Sequence, residues 1–181
     1  MKKIIVFLIL FSCSQNSQEN SNTIIELNST VEIYLLENFD ESRGYCIDVR
    51  GSKTSANIDR PLQAHTCYSY QGTVSVDQGF DESQIINNQF RINFFNVCME
   101  AESMTESSQV ILQTCNNKSK QKFIIDNNGK IYLQDDKNLC LTVSEISSEG
   151  GGGNPVHMIK TLTLQICSDE LTPYQSWGIR K

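Results

Sequence analysis

The sequence predicts an all-β fold, a closed barrel assembled from three internal repeats. Three observations point to it. Six of the seven cysteines form three matched pairs, each inside a copy of one short pattern. The copies recur every 42 to 54 residues, a period that marks a repeat architecture before any local element is assigned. Between the cysteines run short segments rich in β-branched and aromatic residues, and no long stretch beyond the N-terminal apolar run keeps a helical period.

The first copy reads Cys46-Ile47-Asp48-Val49, then Leu62-Gln63-Ala64-His65-Thr66-Cys67, then Gln78-Gly79-Phe80. The second reads Cys98-Met99-Glu100-Ala101, Ile111-Leu112-Gln113-Thr114-Cys115 and Gln121-Lys122-Phe123. The third reads Cys140-Leu141-Thr142-Val143, Leu164-Gln165-Ile166-Cys167 and Gln175-Ser176-Trp177. The cysteine count alone leaves the connectivity open. Pairing within each copy gives Cys46–Cys67, Cys98–Cys115 and Cys140–Cys167, one disulfide per repeat. Each bridge would stabilise the fold by about 3 kcal/mol in the chain-entropy picture. No pair has the close C-x-x-C spacing that zinc favours, so no metal and no cofactor are expected.

In chain order, Val31–Leu36, Tyr45–Val49, Gln89–Phe95, Val97–Ala101, Lys122–Ile125, Lys130–Leu133 and Leu139–Val143 read as strands, because β-branched and aromatic side chains dominate them. Asn127-Asn128-Gly129 reads as a tight turn between two of them. Gly150–Gly153 lengthens the third repeat and is expected to move, and His157 beside it is expected to be an exposed bystander.

Cys13 belongs to no repeat. It follows Lys2, Lys3 and the apolar run Ile4–Phe11, which is too short to span a bilayer but suits the core of an export signal. The order Leu10-Phe11-Ser12-Cys13 resembles the bacterial lipoprotein signal. That resemblance implies a signal peptide over 1–12 and acyl chains on Cys13, followed by a polar tether over 13–29 and a domain over 30–181 with repeats at about 30–83, 84–128 and 129–181. Ser14 carries no acidic retention signal, so an outer-membrane or cell-surface lipoprotein is expected, held to the membrane by its N-terminal lipid. An ordinary cleaved signal and a secreted protein are the alternative.

Removing residues 1–12 leaves 13 basic against 21 acidic side chains. No basic run exists to neutralise phosphates, so nucleic acid is not an expected partner. Export and paired cysteines imply an oxidising compartment. The domain is expected to be a monomer.

The Cys-apolar-Asp-Val start, the Gln before the second cysteine and the closing Gln175-Ser176-Trp177 resemble the ricin-type β-trefoil lectin family, over about residues 30–181. Phe80 and Phe123 stand where that family carries further tryptophans, and all three aromatics are expected in the core. The resemblance implies a β-trefoil and a shallow carbohydrate pocket, commonly for galactose-type glycans. In the family a carboxylate after the first cysteine accepts hydrogen bonds from sugar hydroxyls, a task its several lone pairs suit. An aromatic two residues before the second cysteine stacks on the sugar, and a polar residue four before it and an acidic or amide pair opening the last motif complete the site.

Carried onto this chain, the first repeat matches best: Asp48 is the carboxylate, Gln63 the polar lining residue, His65 the stacking residue, and Asp77 and Gln78 the closing pair. Tyr68 and Tyr70 stand ready to add an aromatic wall. The second repeat has Glu100, Ile111, Gln113 and Lys120 at these places, and the third has Thr142, Thr163, Gln165 and Tyr174 with Gln175, so both read as scaffold. For Gln78 taken alone, a backbone-bonding role shared with Gln121 and Gln175 is the stronger reading.

Three function classes follow. A carbohydrate-binding module with one site leads. A structural or protein-binding trefoil with a decayed sugar site is second. An enzyme is last: two histidines and oxidised cysteines leave no Cys–His or Ser–His–Asp set, and only the carboxylate pair Asp48 and Asp77 would suit a glycosidase.

Overall fold

The computed structural model describes residues 29–181; the signal segment, Cys13 and most of the tether lie outside the described residues. The first repeat supplies β1 (Thr30–Leu35), β2 (Tyr45–Asp48), β3 (Gln63–Thr66) and β4 (Phe80–Asp81). The second supplies β5 (Arg91–Ile92), β6 (Val97–Ala101), β7 (Val110–Gln113) and β8 (Phe123–Ile125). The third supplies β9 (Ile131–Leu133), β10 (Asp136–Val143), β12 (Met158–Ile166) and β13 (Trp177–Arg180), with the short β11 (Ser148–Glu149) inserted. Two four-residue helices, α1 (Glu82–Ile85) and α2 (Thr172–Gln175), precede β5 and β13.

First and fourth strands of each repeat form a barrel. β1 pairs with β4 and β13, β4 with β5, and β8 with β9. The bridges Gln89–Lys122 and Lys130–Ser176 complete the circuit. Second and third strands form three hairpins, β2–β3, β6–β7 and β10–β12. The hairpins meet through the β3–β12 ladder, the Gln109–Thr163 bridge and a hydrogen bond from the Leu62 N–H to the Val110 carbonyl at 2.8 Å. Closure leaves few open edges, which is how this β-trefoil manages the hazard of unpaired strands.

The inward faces follow the two-residue period of a strand: Val31, Ile33 and Leu35 of β1 are all buried. Phe80, Phe123 and Trp177 fill the core as expected, joined by Phe90, whose ring lies edge-on to Phe80 and Phe123 at 6.4 and 6.0 Å. Each contributes about 1.5–3 kcal/mol by burial. The Trp177 Nε1–H donates to the Leu141 carbonyl at 3.0 Å, so its one polar atom is satisfied. Gly129, at φ 82°, turns the chain between β8 and β9, and a Cβ there would meet the Trp177 carbonyl oxygen at 2.5 Å. The three disulfides are Cys46–Cys67, Cys98–Cys115 and Cys140–Cys167, with Cα separations of 4.9, 5.0 and 5.1 Å.

The third strands β3, β7 and β12 lie outside the segments that the sequence marks as strands. Gln63-Ala64-His65-Thr66 carries too few β-branched residues to announce itself, and pairing on both sides overrides its weak local preference. Conversely, Gln89–Phe95 holds only the two-residue β5, because turns take over from Asn93.

Candidate functional site

One side-chain device recurs in all three repeats. Gln78 Oε1 accepts from the Tyr68 N–H at 2.9 Å, and its Nε2 donates to the Thr66 carbonyl and to Asp48 Oδ1, both at 3.1 Å. Gln121 accepts from the Asn116 N–H and donates to the Thr114 carbonyl and Glu100 Oε2. Gln175 accepts from the Ser168 N–H and donates to the Ile166 carbonyl and Thr142 Oγ1. An amide suits this place because one side offers two donors and the other an acceptor. In each copy the glutamine pins the residue two after the first cysteine.

In the first repeat that residue is Asp48, on the last position of β2 opposite Gln63 of β3. Gln63 Nε2 donates to its Oδ2 at 2.8 Å, so both carboxylate oxygens hold amide donors. Asp48 is 1% exposed. Burial pushes its pKa well above the usual carboxylate range; the Gln63 bond opposes this and the charge of Asp77 adds to it.

His65 lies two residues beyond Gln63 on the same face of β3. Its Nδ1–H donates to the Thr66 carbonyl at 2.9 Å, which leaves Nε2 as the acceptor. Tyr68 packs on it at a centroid distance of 5.2 Å and His157 at 5.1 Å, and those two rings meet each other at 5.3 Å. Burial holds the His65 pKa below its ordinary value. The face expected to stack on a sugar is therefore covered by rings of the protein itself. The expectation that His157 is an exposed bystander is corrected: it is 6% exposed, because the hairpin leaving β11 carries it across onto the first repeat.

Asp77 is fully buried and braces the loop after β2: its Oδ2 accepts from the Lys53 N–H at 2.5 Å and its Oδ1 from the Ser75 hydroxyl. All five residues read from the sequence thus belong to one neighbourhood. Asp48, Gln63 and Gln78 are directly bonded, while His65 and Asp77 flank them. Tyr68 joins this neighbourhood, and Tyr70 is half exposed with its hydroxyl 3.2 Å from His157 Nε2.

The other repeats differ as their sequences imply, with one addition. Thr142 is buried and donates to the Cys140 carbonyl. Glu100 is only half-buried and lines an open cleft of 440 Å³ with Asn116, Lys118, Ser119 and Lys120. No aromatic ring lines that cleft. Among the described residues the one cluster of potential metal ligands is Glu32 with Cys46 and Cys67, whose sulfurs are already joined in a disulfide.

Sequence reasoning missed the outer support. Glu41 accepts from Arg43 Nε and Nη2 at 2.7 and 2.6 Å and from the Thr66 hydroxyl at 2.7 Å. These donors hold its pKa down at about 2. Neither residue lies inside a repeat motif, so no spacing signals them.

Among curated proteins none matches the sequence significantly. Among solved structures, the designed threefold-symmetric protein ThreeFoil is 15% identical over 84% of this chain and 98% of its own, with a TM-score of 0.60. The C-half of the earthworm R-type lectin, in complex with GalNAc, is 16% identical over 84% and 98%, with a TM-score of 0.56. The β-trefoil lectin of the Vibrio vulnificus hemolysin/cytolysin, with N-acetyl-D-lactosamine bound, is 16% identical over 83% and 93%, with a TM-score of 0.52. The family model for the ricin-type beta-trefoil lectin domain matches residues 32–177. This chain belongs to the ricin-type beta-trefoil lectin domain family.

Proposed function

We propose that this domain is a non-enzymatic carbohydrate-binding module with one site, on the first repeat, built from Asp48, Gln63, His65, Asp77 and Gln78. The observation that carries the reading is the hydrogen-bonded set Gln63–Asp48–Gln78 with an imidazole on the same strand face. Neither other repeat assembles it. A carboxylate already oriented by two amides is prepared to accept sugar hydroxyls without reorganising. The sugars bound by the earthworm and Vibrio lectins make galactose-type glycans the first to try. We further place the module on a membrane through lipid at Cys13, as a monomer with no nucleic-acid partner. A glycan array on the full chain tests the reading, with Asp48→Ala as control.

The burial of Asp48 favours a second reading, in which the sugar site has decayed and the trefoil serves as an interaction module. Absence of any array signal, at neutral and acid pH alike, would favour it.

A further inference from the structure

The tip of the β11–β12 hairpin is a strap laid over the first repeat. Residues 150 to 156 are exposed apart from Gly150, which is partly covered, yet they end in the buried ring of His157. Arg43 fastens the strap, donating through Nη1 to the Pro155 carbonyl at 3.0 Å and through Nη2 to the Val156 carbonyl at 2.8 Å. The Met158 N–H donates to the Thr66 hydroxyl oxygen at 2.8 Å. Gly153, at φ 82°, lets the chain fold against His157: a Cβ there would meet the ring at 2.5 Å.

His157 is held in a way that only its neutral form tolerates. Its Nδ1 is buried with no hydrogen-bond partner among the described residues, while Nε2 meets the Tyr70 hydroxyl. A charged ring would bury an N–H with nothing to accept it, which is costly. The groups facing the two imidazoles are Arg43 and Glu41 from the loop before β2, Tyr68 and Tyr70 after β3, and Asp77 before β4. Glu41 is engaged by Arg43 and Thr66, and Asp77 by Lys53 and Ser75; neither accepts a hydrogen bond from the two rings, and their charges offset the cost of burial only in part. Protonation would also set two positive rings 5.1 Å apart beside the Arg43 guanidinium.

We propose that the strap Gly150–His157 is a releasable cover over the first-repeat face, closed while His65 and His157 are uncharged and released when they gain protons. Burial lowers the pKa of both rings in the closed state, and Arg43 lowers that of His157 further. The open state therefore binds protons more tightly, and acid favours opening. The inference rests on the first repeat being the sugar face only for its biological meaning; the release itself is read separately.

Hydrogen exchange of the full chain tests it at pH 7.5 and 5.0, with rates corrected for intrinsic exchange. Protection over residues 150–158 should fall about tenfold on acidification while the β6–β7 hairpin stays unchanged. His157→Phe, which keeps a ring but cannot gain charge, should abolish the fall. Protection that ignores pH in the natural chain, or the same fall in His157→Phe, overturns the proposal. Calorimetry with lactose under both conditions separates the two ideas. Affinity rising with release supports both, whereas release without lactose binding keeps the cover and removes galactose-type recognition from this face.

Discussion

Gln78 holds Asp48 in place: one amide nitrogen donates at 3.1 Å both to the carboxylate and to the Thr66 carbonyl, tying the end of β2 to the end of β3. Gln121 repeats this contact with Glu100, and Gln175 repeats it with Thr142. The glutamine is thus a structural constant of the repeat, and what it holds is the variable. Gln78, fully buried, orients Asp48 within the candidate site.

The device is testable away from that site. Gln121→Ala removes four side-chain hydrogen bonds around a fully buried position, one of them a long contact from Gln89, and leaves the Asn116 N–H and Thr114 carbonyl without this partner. Stability should fall by about 2–3 kcal/mol, measured as a shift of the urea midpoint at unchanged slope. Binding at the first repeat should survive.

The Glu41–Arg43 pair should give the fold a defined acid response. Arg43 and Thr66 hold the Glu41 pKa at about 2, below its ordinary 4.5. A depressed carboxylate contributes stability above its unfolded value and loses it as pH falls through its folded value. Thermal melts of Glu41→Gln should lie below those of the natural chain at pH 7. The gap should close progressively between pH about 4.5 and about 2. A gap that persists at the acid end would mean that Glu41 acts through packing instead of charge.

Much of the fold can be read from the sequence because its signals are local. A cysteine, a glutamine and an aromatic at matched places mark each repeat, and the structure places them equivalently in the three disulfides, the amide bridges and the core. What closes the first repeat has no local mark. Arg43 reaches Pro155 and Val156 across 112 and 113 residues, and His157 meets His65 from another repeat. Beside a run of glycines, His157 looks like a solvent residue; only the return of β11 along β12 buries it. Polar β3 escaped for a related reason, since its partners β2 and β12, and not its own propensity, make it a strand.

The proposed membrane attachment is tested at the N-terminus. Mass spectrometry of the mature chain should find acyl mass on Cys13, and Cys13→Ala should free the protein from membranes. A mature N-terminus downstream of Cys13, without modification, would replace the lipoprotein reading by secretion.

In the proposed function one carboxylate, Asp48, organises one sugar site. Removing a partner of several hydroxyls costs about 1–3 kcal/mol. That is large against the ~4 kcal/mol of a millimolar monosaccharide complex. The most direct measurement is calorimetric titration of the full chain with lactose at pH 5.0 and 7.5, beside Asp48→Ala, Glu100→Ala and Thr142→Ala. One equivalent of sugar should bind the natural chain, Glu100→Ala and Thr142→Ala, and none should bind Asp48→Ala. Two or three equivalents per chain would rule out a single site, and binding that survives Asp48→Ala but disappears in Glu100→Ala would move the site to the open cleft of the second repeat.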